Sequence, residues 1–177
     1  GLRGSGIIAR DSEFILQNVS IDSNHGQYAG GIAIFNSDFE FINVSVLNNS
    51  AMEYDSFWYI AAPGGIMIEN SNVIIDSSLI AGNMGRWGGG FKATNSNINI
   101  LNTDIIDNNA SQEGGGGHLI GVLANFSNVT IARNTSNSIG GGLRSWYSTI
   151  TMEHSTVSEN YHGGIDMTYS YNQFDPI

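Results

Sequence analysis

The 177-residue chain contains no cysteine, only six basic residues against sixteen acidic ones, and no apolar run of the length a membrane span requires. Each absence removes a class of function. Without thiols there are no disulfides, no zinc-thiolate sites and no thiol catalysis. A formal net charge of −10 leaves no cluster of Lys and Arg for a phosphate backbone or an anionic surface, which argues against a nucleic acid partner. Crossing a bilayer takes roughly 18 to 20 consecutive apolar residues, so membrane insertion is not expected. The opening stretch GLRGSGIIARDSE also lacks the apolar segment of a signal peptide. Charged residues make up only 12% against 41% hydrophobic, a balance that argues for one domain with a substantial core.

Helical periodicity is missing as well, and a repeat stands in its place. Counting eighteen residues on from Gly6, Gly31, Gly65, Gly90, Gly116 and Gly142 lands on Asn24, Asn49, Asn83, Asn108, Asn134 and Asn160. Successive glycines are 25, 34, 25, 26 and 26 residues apart, and a seventh, incomplete copy opens at Gly164. The first and third residues after the glycine are mostly small or apolar, as in Ile32 and Ile34 or Phe91 and Ala93, which is strand alternation. A turn follows with serine at Ser12, Ser37, Ser71, Ser96, Ser148 and Ser170, Val122 being the exception. A second alternating stretch carries Phe39 and Phe41 or Ile98 and Ile100, and a third ends on Ile21, Val46, Ile80, Ile105, Ile131 or Val157, three residues before the asparagine.

Three short strands and three turns per copy predict an all-β chain: a single right-handed parallel β-helix of about seven rungs of about 25 residues. Rungs about 4.8 Å apart then give a rod roughly 30 Å long. The recurring asparagine is expected to form an inward ladder, each amide bonding to the one above. The glycines are expected to supply either positive φ or close backbone approach. Gly114 to Gly117 do not read as a phosphate loop, because neither a helix nor Lys-Ser/Thr follows.

The pattern resembles the repeats of chlamydial polymorphic outer-membrane proteins and related pectin-lyase-like β-helices, in which a GGA-(Ile/Leu/Val) motif alternates with FxxN. Here GGIAI opens at Gly30, GGIMI at Gly64 and GGID at Gly163, while IDSN, VLNN, IAGN, IIDN, IARN and VSEN fill the second role with Ile or Val in place of Phe. The resemblance covers nearly the whole chain and implies a passenger-like, adhesive surface module. It points to an extracellular or cell-surface location.

Seven Asn-x-Ser/Thr sequons bear on that location, starting at Asn18, Asn43, Asn48, Asn109, Asn125, Asn128 and Asn134. Asn18, Asn43 and Asn128 share one position of the repeat, next to an apolar slot and hence expected outward, and are the best candidates for glycosylation. Asn134 lies on the inner ladder and is expected to stay unmodified.

A competing reading is an enzyme or a carbohydrate-binding rod. The second slot after the glycine is expected to face solvent, and up the rod it reads Ile8, Ala33, Met67, Lys92, His118, Arg144 and Asp166, with Glu69 and Trp146 two slots on. Lys92, His118, Arg144, Asp166 and Glu69 are therefore the candidate catalytic residues if the chain is an enzyme. Polysaccharide lyases of the resembled class use cations, acidic metal ligands and a base on a comparable face, which implies an acidic sugar as ligand. Asn102 to Asp104 resembles the opening motif of polygalacturonases, but the Asp-Asp pair, GHG and RIK are missing. No cofactor is expected; a structural Ca2+ near Asp22, Asp107 and Glu159 is the one metal reading with acidic ligands close to a turn.

The longest copy inserts about nine residues within Ser50 to Pro63, including Tyr54, Phe57, Trp58 and Tyr59. With Tyr28, Trp87 and Tyr161, each three residues before an anchoring glycine, this loop is expected either to form an aromatic strip for a carbohydrate or protein partner or to cover apolar surface of its own rod. Strand edges at both ends lead to the further expectation of a longer parent chain or of copies stacking end to end into a filament.

Overall fold

A computed structural model describes residues 5–51, 62–169 and 171–174. The chain winds as a right-handed parallel β-solenoid of six turns and part of a seventh. One rung runs through Phe91–Thr94, Asn97–Leu101, Asp104–Ile106 and Asn109–Glu113. Its first two strands belong to seven-stranded sheets, its third to a six-stranded sheet and its fourth to a five-stranded one. The pairings of the described strands are parallel and those of the first three sheets hold the register of the repeat, so that Ile66, Phe91, Gly117 and Leu143 stand one above another; in the fourth sheet the register shifts between Gly85 and Trp87. The fourth strand was not among the three expected. It lies in the Asn/Ser/Thr-rich stretch after the ladder asparagine, where no apolar alternation marks it.

Alternating side chains of the first three sheets meet in one continuous core of stacked residues such as Ile68, Ile75, Ile80, Phe91, Ile100 and Ile105. The hydrophobic drive is the usual one, about 25 cal/mol per Å2 of apolar surface removed from water. It does not by itself fix the rung-to-rung register. That is done at the corners.

At the third corner the asparagines form a buried ladder. Asn108 Oδ1 accepts from the Asn83 backbone N–H and from Asn83 Nδ2, both at 3.0 Å. Its own Nδ2 donates to Ile80 O at 2.9 Å and to Asn134 Oδ1 at 3.0 Å. Both amide hydrogens and both oxygen lone pairs are thus used, which is what permits an amide to be buried without loss. The same pattern runs from Asn24 through Asn49 to Asn134 and Asn160. The first corner carries a hydroxyl ladder: the Ser71 N–H donates to Ser96 Oγ at 3.1 Å, and Ser96 Oγ donates back to Thr94 O at 2.7 Å. A third ladder, not anticipated, joins Val44 N–H to Ser78 Oγ and Ser78 N–H to Thr103 Oγ1 at the second corner.

Just before each of these inward groups the chain turns through the left-handed region, at Asn36 and Asn95, at Asn18, Asn43 and Asn128, and at Asn48 and Asp107. Asn and Asp tolerate that conformation because their short polar side chains bond locally. The anchoring glycines do something else. A Cβ on Gly31 would lie 2.8 Å from Gly65 O and 3.1 Å from Asn49 Nδ2, so close approach to the ladder is the reason for them. The positive φ of the Gly-rich cluster sits two residues earlier, as at Gly114 with φ 70°.

Asn108→Leu removes the acceptor of two buried donors and the side-chain bonds to Ile80 O and Asn134 Oδ1, and is expected to destabilise the protein by about 3 kcal/mol or more. Asn97→Ala cuts a similar amide stack, Asn97 Nδ2 to Asn72 Oδ1 at 2.9 Å, but on the exposed face, and is expected to change stability by about 0.5 kcal/mol or less. Denaturant unfolding of the two variants checks the contrast; equal losses would show that the buried ladder has no special role.

Candidate functional site

The parallel register puts Lys92, His118, Arg144 and Asp166 on four consecutive strands of the first sheet, directly above one another. Glu69 and Trp146 lie two slots further along the same sheet. The polar stripe is therefore real as a juxtaposition. Its environment differs from the expectation in part: Ile8 is exposed and Met67, Lys92 and Asp166 are half-buried, whereas three positions of the slot are closed off from water. His118 is 1% exposed, Arg144 4% and Ala33 fully buried. Alternation fixes which side of a strand a residue takes, but not whether that side is covered. Here the end of the fourth strand returns over the outer face of the first sheet. Trp87 stacks on the His118 ring at 5.4 Å, and Glu113 reaches in to place Oε2 3.1 Å from Arg144 Nε and 3.7 Å from His118 Nε2. Lower down the rod, Tyr28 packs edge-on to Phe35 at 5.8 Å and takes the same covering role.

Burial decides the charge states. The His118 pKa falls to about 3, first because the ring is desolvated and then because Lys92 and Arg144 flank it. The imidazole is neutral at physiological pH. Burial also lowers the Lys92 ammonium from its ordinary value, opposed by the Glu69 carboxylate. Arg144 donates Nε–H to Glu113, Nη1–H to Asp166 and a further Nη1–H to Thr168 Oγ1 at 2.9 Å, and its guanidinium sits 5.1 Å from the Trp146 ring. The cations are thus met by carboxylates from the chain itself, which removes the spare positive charge that an acidic sugar would need. A histidine that titrates near 3 is also poorly matched to proton transfer at neutral pH. Two buried polar atoms in this cluster, His118 Nδ1 and Trp146 Nε1, meet no hydrogen-bond partner among the described residues.

Glu113 is the residue that sequence reasoning passed over. Its signal was its slot: three residues before an anchoring glycine, the position that drew attention at Tyr28, Trp87 and Tyr161 only because those are aromatic. Tyr161 itself is exposed, its ring 4.2 Å from that of His162 and tilted by 51°. Tyr54, Phe57, Trp58 and Tyr59 lie outside the described residues.

The sequon asparagines separate cleanly. Asn18, Asn43, Asn48, Asn109, Asn125 and Asn128 are exposed, whereas Asn134 is buried in the ladder. Asn18, Asn43 and Asn128 are left-handed corner residues, followed by an inward valine (Val44 and Val129 are buried) and by the serine or threonine that opens the third strand. Corner geometry alone therefore accounts for part of the Asn-Val-Ser/Thr recurrence. Among the described residues no group of three His, Asp or Glu side chains is arranged to hold a metal ion, and Asp107 is engaged by Arg133 Nε and Nη2 at 2.8 and 2.9 Å. Compared with known protein families and with curated proteins, the chain matches none of them.

The depressed His118 pKa sets a sign for pH dependence. The unfolded chain takes up a proton near the ordinary value of 6.5, while the folded protein resists it down to about 3. Stability from this group is present in full above pH 6.5 and is lost progressively as pH falls through that window. Denaturation at pH 7, 6, 5 and 4 is expected to show wild type losing up to about 1.4 kcal/mol per pH unit more than His118→Phe; parallel profiles would contradict the assignment.

Proposed function

We propose that the chain is a structural, adhesive β-helix module of an extracellular surface, a stiff rod that presents its flanks and continues into further rungs. The observation that supports this reading most directly is that its polar side chains are committed to joining rungs. The buried asparagine and hydroxyl ladders run along the corners, and surface amides repeat the device, with Asn43 Nδ2 on Asn18 Oδ1 at 2.7 Å and Asn128 Nδ2 on Asn102 Oδ1 at 2.9 Å. The one charged cluster neutralises itself. A reactive site needs groups held short of full satisfaction in an open cleft; a scaffold needs the regular saturation found here.

The asparagine ladder is also polar. Each asparagine donates to the asparagine of the following rung and accepts from that of the preceding one, so a further rung, from an adjoining β-helix segment or a second copy, extends it head to tail. The resemblance to chlamydial polymorphic outer-membrane and pectin-lyase-like β-helices, the exposed sequons and the absence of cysteine fit a rod displayed outside the cell and stabilised without covalent staples. A carbohydrate is the partner such a surface most naturally meets.

Electron microscopy of the natural material, combined with intact-mass analysis and peptide mapping, tests this. The expected result is rods or filaments at a surface, with N-linked sugar on Asn18, Asn43 or Asn128 and none on Asn134. Compact, unmodified particles free in solution would overturn the reading.

A further inference from the structure

The two unmet polar atoms belong to neighbouring side chains. His118 and Trp146 lie on adjacent strands, their ring centroids 6.3 Å apart and their planes inclined by 56°. Each is buried, and leaving a buried donor or acceptor unpaired is costly in a fold that elsewhere saturates its amides. Their hydrogen-bonding capacities are opposite. His118 Nε2 lies 3.7 Å from the Glu113 carboxylate, whose negative charge favours the single proton of the neutral ring on Nε2 and so leaves Nδ1 as an acceptor. Trp146 Nε1–H can only donate.

We infer that one hydroxyl group bridges them, accepting from Trp146 Nε1–H and donating to His118 Nδ1. An anion fails because it has no proton for Nδ1, and Arg144 is already held by Glu113 and Asp166. An ammonium fails because it cannot accept from the indole. Two hydrogen bonds of about 2.9 Å meeting at one oxygen near the tetrahedral angle span roughly 4.7 Å, within the reach of edge atoms on two rings whose centroids lie 6.3 Å apart. The hydroxyl has two sources: an ordered water, or a hydroxyl of a neutral saccharide lying against the Trp87 and Trp146 rings. The saccharide source rests on the adhesive reading; the hydroxyl bridge does not.

The full chain, labelled with 15N in its histidines and tryptophans, separates these by NMR. The bridge requires His118 with Nε2 protonated and Nδ1 bare. It also requires the Trp146 Nε1–H resonance either to show a cross-peak to water or to shift saturably on titration with galactose, mannose or N-acetylglucosamine oligomers. A saturable shift that is weakened about tenfold by His118→Phe identifies the saccharide. A persistent water cross-peak unmoved by the oligomers identifies water. A proton on Nδ1, or a Trp146 Nε1–H that shows neither signal, overturns the bridge, as does a response to oligogalacturonate alone. If His118→Phe unfolds, Trp146→Phe provides the second variant, read at His118 Nδ1, whose response to the oligomers is then expected to weaken about tenfold. Because microscopy reports the rod and NMR the bridge, one can fail while the other stands.

Discussion

A rung of this solenoid cannot fold alone, because its backbone donors and its inward asparagine find their partners only in the neighbouring rungs. Asn108 illustrates the constraint: it bonds Asn83 on one side and Asn134 on the other, and its Nδ2 also donates to Ile80 O in the rung of Asn83. Much of the sequence follows from keeping that amide dry and saturated. Glycine must stand opposite it, since a Cβ at Gly90 would meet the Asn108 amide at 3.1 Å. A left-handed residue must precede it to turn the side chain inward, and a β-branched residue such as Ile105 seals it from the core side. Coupling of this kind between nearest neighbours is the physics of linear repeat proteins.

The same regularity explains where the rod departs from its repeat. The first-sheet outer slot carries Ala33 and Met67 on the lower rungs, packed beside Phe35 of the same sheet and under Tyr28. Higher up it carries Lys92, His118 and Arg144 under Trp87 and Glu113. Both sections are covered by the returning end of the fourth strand, but one is apolar and the other ionic. A buried ionic section is a weak source of stability, because desolvation offsets much of the attraction. Its presence therefore marks the part of the rod where something other than rung stacking has shaped the sequence, and the unmet His118 and Trp146 atoms lie within it.

Much of the fold was legible beforehand because a stacked lattice writes each structural requirement into the sequence once per rung. The offset from Gly90 to Asn108 recurs in six copies, so the period and the strand directions could be counted rather than guessed. The fourth strand escaped notice because its pairing is by backbone, through residues such as Asn109 and Thr135 that show no apolar alternation. The candidate site was legible only in projection. Register brought Lys92, His118 and Arg144 together, whereas their burial depends on Trp87 and Glu113 arriving from another part of the rung. Periodicity carries no information about such a cover.

Hydrogen exchange, followed peptide by peptide, addresses the central claim that corner side chains bind the rungs into one unit. The backbone N–H groups of Asn49, Asn83 and Asn108 sit in turns, where exchange is ordinarily fast, yet each donates to the asparagine of the next rung. They are expected to exchange together, as slowly as the core strands, in a single cooperative opening. If they exchange at the rate of surface loops while the strands stay protected, the ladders are decoration and the solenoid is held by its core and backbone alone.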